Sequence, residues 1–262
     1  MASGKLFSFQ YFPSFSNSEL FYEKMMESEG AGVRIFNQVV LLGAFLFVYG
    51  LVMGAYHSPL QAVVSGVKLA VLFTLALLIC FPAFFIVQYI LGSRLRLHQM
   101  ISILLSGFVL MAAIMLSFIP IVVIFLLTGG NYYFLHLLHI AIMIFAGIFG
   151  MNTIVKALEF SCEKKDVYPR TGVVVFRFWV VILAFVGIQL AWNFRPFLGE
   201  KDKPFEMFTH KEGNFYAAVI YAVDQLLNPD KPVPENAPSR RTSAPPPDNT
   251  VTDIFRDTAG GK

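Results

Sequence analysis

The sequence predicts an all-α integral membrane protein, a bundle of five transmembrane helices with short flanking amphipathic helices. Two observations carry this. Hydrophobic residues make up 56% of the 262 residues and charged residues only 14%, with a mean hydropathy of +0.64. An ordinary soluble domain is about 45–50% apolar and about 25% charged, so this chain has too few charges to cover a water-facing surface. The second observation is length: crossing hydrocarbon takes roughly 20 apolar residues, and five such runs occur, at 35–56, 62–91, 100–127, 132–154 and 173–192. The composition excludes a secreted mini-protein, a disulfide scaffold, a disordered regulator and most soluble enzymes.

Before the first run, Ser16 and Glu19 read as a capping box. Leu20, Phe21, Met25 and Met26 share one side of a short helix that Gly30 and Gly32 are expected to stop. Its other face bears Glu23, Glu27 and Glu29, which an anionic lipid surface would repel. The helix is expected to pack on the protein's own loops or on a partner, with a passive place at the interface as the alternative. Upstream, Phe7, Phe9, Tyr11, Phe12 and Phe15 are too many rings to leave in water, and they suit a membrane interface or a partner's groove.

The second and third runs exceed the minimum, so they are expected to tilt, kink or extend past the interface. Pro82 and Pro120 inside them each lack a backbone donor and mark the first places to look for a kink. After the fifth run, residues 214–227 read as a short helix, with Phe215, Ala218, Val219, Tyr221 and Ala222 at helical spacing. Composition then shifts: 228–250 hold seven of the 14 prolines, which predicts an extended strap ending in the apolar cluster Val251, Ile254 and Phe255. The organisation that follows is an N-terminal segment 1–34, a transmembrane domain 35–194, a segment with a short helix 195–228 and a proline-rich tail 229–262.

Basic residues orient the spans. Lys5, Lys24 and Arg34, then Arg94 and Arg96, then Lys156, Lys164, Lys165 and Arg170 fall on one side, and the loops 56–61 and 128–131 opposite have no Lys or Arg. This predicts a cytoplasmic N-terminus and an outer C-terminus, although Arg195, Lys201, Lys203 and Lys211 then lie outside. The first residues lack the basic-then-apolar order of a cleaved signal peptide. Together with short loops, that fits a bacterial inner membrane.

Cys80, expected in a span, and Cys162, expected in a cytoplasmic loop, offer no disulfide framework or CxxC clip. A net charge of +3 with scattered basic residues excludes a nucleic-acid face. GxSxG, HExxH and a full phosphate loop are absent, the terminal AGGK lacking the earlier Gly and the following helix. The expectation is a protein without catalysis and without cofactor.

Polar side chains in hydrocarbon invite a functional question. Lys68 and Arg177 lie near span ends and are expected to snorkel to headgroups. Asn37, Gln38, Gln88, Asn152 and Gln189 are expected to bond between helices. No Asp or Glu lies in the five runs, which counts against a proton- or cation-coupled transporter. His136 and His139 share a helix face near His57 and His210 on the outer side. Hydrogen-bonding roles are expected for them, with a metal held by His57, His136 and His139 as the alternative. Gly50 and Gly54 form a GxxxG pair, and Ala146 with Gly150 a similar step, which let helices approach closely within the chain or between subunits.

The densest constellation is QLAWNFRPFLG at 189–199. Trp192, Phe194 and Phe197 suit the interface, Pro196 prevents the helix from continuing, and Arg195 would sit among rings or face phosphate. The segment reads as a helix-end anchor or as a docking site for lipid or a partner.

VYGLVMGAYHSPLQAVVSGVKL and QLAWNFRPFLG resemble an uncharacterised family of bacterial polytopic membrane proteins. The span count, the expected cytoplasmic N-terminus and the stretch LGSRLRLHQMISILLSGFVLMAAIMLSFIP are also similar to the Yip-domain family of five-span proteins. That resemblance implies a membrane-embedded adaptor without catalysis and carries over no functional residue. The expected function is therefore a scaffold, anchor or accessory subunit that contacts membrane lipids and other subunits or itself. A channel or transporter for a small solute or lipid is the alternative.

Overall fold

The computed structural model describes residues 22, 23, 27, 30–129, 131–163, 166–199, 205, 207, 208 and 214–228. Their regular elements are α1 (Ala31–Gly54), α2 (Pro59–Ile90), α3 (Leu97–Ser117), α4 (Ile119–Leu127), α5 (Tyr132–Glu163), α6 (Arg170–Asn193) and α7 (Phe215–Leu227), with no strand among the described residues. Five helical stretches are long and apolar enough to cross a membrane: α1, α2, the α3–α4 pair spanning Leu97–Leu127, α5 and α6. The expected bundle of five apolar helices is the fold observed. The rings of Phe7, Phe9, Tyr11 and Phe12, the Ser16–Glu19 capping box and the 229–262 tail lie outside the described residues.

Local chemistry explains the helix ends. Ser58 accepts the Gln61 N–H at 3.2 Å and Pro59 occupies the first turn, so α2 starts before the expected residue 62. Gly30 takes a left-handed conformation, φ 66°, just ahead of α1. Gly32, expected to end the upstream helix, lies inside α1 instead. The third run breaks at Phe118, and Pro120 falls in the first turn of α4, where its missing N–H would have had no helical partner. Pro82, by contrast, sits inside a continuous α2. Helix α5 runs on to Glu163 rather than ending at 154, so Cys162 lies in its last turn and not in a loop. Beyond the apolar run the helix stays amphipathic: Ala157, Leu158 and Ser161 are buried, while Lys156 and Glu163 are exposed.

Helix α1 packs on α2 and α3, α3 on α5, and α2 on α6, while α5 meets both α6 and α7. Gly50 and Gly54 face α2 so closely that an added Cβ would meet Gly66 Cα at 2.7 Å and Gln61 O at 2.5 Å respectively. The second small-residue step does the same between α5 and α3. A Cβ on Gly150 would lie 2.6 Å from the Gly107 carbonyl, and neighbouring Ala146 is fully buried. Such contacts let backbones approach and gain dispersion along the whole seam. Between α2 and α6 the join is aromatic. Phe84 lies 5.4 Å from Phe176 and 4.7 Å from Trp179 between ring centroids, and the Trp179 indole N–H donates to the Cys80 carbonyl at 3.1 Å. The outward face is apolar, with Leu78, Ile148, Phe178 and Val181 all more than 60% exposed, as helices solvated by lipid require.

At the end of the bundle where α1 begins, Arg34 is buried, 2% exposed, rather than free at the surface. Its guanidinium donates to the Glu27 carbonyl at 2.7 Å and to Ser102 Oγ at 3.3 Å. Gln38 donates to the Ser102 carbonyl and Gln88 to the Gly172 carbonyl, each at 3.0 Å. Buried Gln38 and Gln88 therefore bond between helices as expected, whereas Asn152 and Gln189 turn out to be exposed. Asn37 is buried, yet neither its amide oxygen nor its nitrogen has a hydrogen-bond partner. Tyr22 is also buried and its ring lies 5.7 Å from Phe160 of α5, which seats that part of the N-terminal segment on the protein itself.

Candidate functional site

The opposite end of the bundle carries the denser chemistry. Gln61, Ser65 and Lys68 recur four and three residues apart, so they lie on one face of α2. All three are buried, and that face binds the chain that leaves α6. Gln61 Nε2 donates to the Pro196 carbonyl at 3.0 Å, Ser65 Oγ to the Phe197 carbonyl at 2.5 Å, and Lys68 Nζ to the Pro196 carbonyl at 3.2 Å. Lys68 also donates to the Met207 carbonyl and lies 4.8 Å from the Phe208 ring centroid. Lys68 therefore does not snorkel to a headgroup; its ammonium ends on backbone oxygens of its own chain. Gly199 closes the clamp at φ 67°, where an added Cβ would meet the His57 Cβ at 2.8 Å.

This clamp fixes QLAWNFRPFLG against α5 and α7. Trp192, Arg195 and Phe197 line a cavity of about 140 Å³ together with His136 and His139 of α5 and Phe215, Ala218 and Tyr221 of α7. The Arg195 guanidinium lies over the Trp192 ring, and its Nε donates to the Trp192 carbonyl at 2.9 Å. Burial pushes the Arg195 guanidinium down to about 10, so it is a cation at neutral pH. Phe194 points elsewhere, its ring 6.2 Å from Phe208.

The histidines separate. His139 is 1% exposed and its Nδ1 sits 2.8 Å from the Tyr49 hydroxyl across the α1–α5 seam, while its Nε2 is buried with no partner. His136 stacks on Tyr132 at 6.2 Å between centroids. His57 bonds Ser58 at 3.0 Å beside Gly199 and is not part of the cavity wall. Among the described residues no three His, Cys, Asp or Glu side chains are grouped to hold a metal, and His210 lies outside them.

No family model matches the chain, and no curated protein or solved structure matches it either. The site must be read from its own chemistry.

That chemistry is donor-rich and acceptor-poor. Among the described residues the cavity wall holds a guanidinium, two imidazoles and several phenols, and no carboxylate. The rest is apolar, including Met53, Leu69, Leu72, Ile140 and Met143. Sequence reasoning found Trp192, Arg195, Phe197, His136 and His139 separately, but missed that they share one wall. It also missed the α2 clamp, whose signal was the spacing of Gln61, Ser65 and Lys68. Arg177, expected at headgroups, is exposed and pairs with the half-exposed Glu159 at 3.4 Å, an arrangement that contributes little to stability.

Proposed function

We propose that this chain is a non-enzymatic membrane protein that acts as a scaffold, anchor or accessory subunit of a larger membrane assembly. In this reading it sits in a bacterial inner membrane with its N-terminus in the cytoplasm and its C-terminus outside. The observation that carries the proposal is the α2 clamp. Three buried side chains hold the segment after α6 through its backbone carbonyls, leaving Phe205, Met207 and Phe208 38%, 57% and 50% exposed. Beside them α7 leaves Tyr216, Ile220 and Val223 exposed. Apolar side chains exposed beside a fastened backbone suit a partner subunit, because docking removes their surface from water. The buried polar groups of α2 are committed to the chain's own backbone instead of lining a solute path, which favours a platform over a carrier.

Copurification from native membranes in mild detergent tests this. Intact protein is expected to recover companion subunits in fixed ratio, and Lys68→Met, which loosens the clamp, to lose them. A lone monomer under every gentle condition would refute the scaffold. The cavity favours one competing reading, a carrier for a small solute or lipid, and flux into proteoliposomes would then rise with the protein and fall when Ala218 is enlarged.

A further inference from the structure

We infer that the cavity between α5, α6 and α7 is a binding site for one anionic glycerophospholipid, its head on Arg195 and the upper part of an acyl chain inside. The site is built for negative charge. Among the described residues Arg195 has no carboxylate partner and the wall contains no acid.

Two residues of the same wall carry a further donor each. Tyr49 makes its hydrogen bond to His139 Nδ1. A buried hydroxyl donates where it can, so Nδ1 accepts and the proton of the neutral ring sits on Nε2. That Nε2 is buried, unpartnered and on a residue that lines the cavity, as is the Tyr221 hydroxyl. A buried N–H or O–H left unbonded is unfavourable, and a phosphate or ester oxygen is an acceptor of the kind each of them lacks.

The shape fits a chain rather than a free ion. From Tyr132 to Met143 the lining follows α5 for about 16 Å at 1.5 Å per residue. Beyond the imidazoles that stretch is Leu69, Leu72, Ile140 and Met143. Inorganic phosphate would leave this apolar part empty, whereas an acyl chain fills it. Trp192 at the wall has the interfacial character that marks headgroup depth. The inference goes beyond the scaffold reading and does not depend on it.

The full chain has two tryptophans, and Trp179 lies in the α2–α6 seam away from the cavity. A Trp179→Phe protein therefore reports from Trp192 alone. It is reconstituted in phosphatidylcholine vesicles doped with brominated phosphatidylglycerol or with brominated phosphatidylcholine at equal bromine content. The anionic lipid is expected to quench Trp192 half-maximally at a mole fraction about fivefold lower, the factor that corresponds to one arginine beside an anionic head. Arg195→Gln is expected to abolish the difference. So is Ala218→Phe, which fills the cavity from the peripheral α7 and leaves Arg195 in place; circular dichroism and gel filtration verify that each variant is folded. Equal quenching by the two lipids would overturn the site. A preference that persists in folded Ala218→Phe would overturn it too, because it would place the lipid on the outer surface. Scaffold function is read separately by copurification, which these lipids do not enter.

Discussion

Gly54 and Gly43 share helix α1 but face different surroundings, and the contrast shows what one side chain decides here. A Cβ at Gly54 would meet the Gln61 carbonyl at 2.5 Å, whereas one at Gly43 would meet nothing within 4 Å. Gly54→Ala is therefore expected to destabilise the bundle by about 1–3 kcal/mol through overpacking. Gly43→Ala should be neutral or slightly stabilising, by up to about 1 kcal/mol. Thermal unfolding in detergent checks both, and equal behaviour of the two variants would contradict the seam. The GxxxG spacing made Gly54 legible in the sequence. His139 was legible only as a polar residue, because nothing in the order of residues shows that Tyr49, ninety positions away, meets it at 2.8 Å. Tyr49→Phe removes that bond and is expected to cost about 0.6 kcal/mol, the average for a polar contact between membrane helices, read by the same unfolding measurement.

Helices α2 and α5 show why element limits were harder to read than element existence. Apolar length announces a span, and all five runs correspond to helical stretches long enough to cross. Where a helix stops is set by caps and by neighbouring loops. Ser58 extended α2 at its start, and α5 continued past the membrane-length run because Ala157, Leu158 and Ser161 still found a packed face. Pro120 coincides with a break and Pro82 does not, so proline alone does not decide. The clamp belongs to this scale as well. Lys68→Met is expected to speed amide hydrogen exchange in the 195–199 segment while leaving the α1 and α3 cores protected, since only that segment loses a partner. Mass-spectrometric exchange reads it, and unchanged rates at 195–199 would show that Gln61 and Ser65 suffice.

Across the whole molecule, two chemically different ends are joined by an apolar middle. One end buries Arg34 with Gln38 and Ser102; the other gathers Arg195, His136, His139 and the α2 clamp. The middle was the easiest part to anticipate, because hydrocarbon permits only closed backbone hydrogen bonding and an apolar surface. The ends were only partly legible, because their chemistry depends on which carbonyl each polar side chain reaches. In the proposed topology all five stretches cross, and an odd number of crossings would leave the two ends of the described bundle on opposite sides of the bilayer. Protease protection in sealed inverted membrane vesicles tests this most directly, with one epitope tag at the N-terminus and another at the C-terminus. The N-terminal tag is expected to be digested from outside and the C-terminal tag to survive until detergent is added. Simultaneous digestion or simultaneous protection of both tags would contradict five crossings.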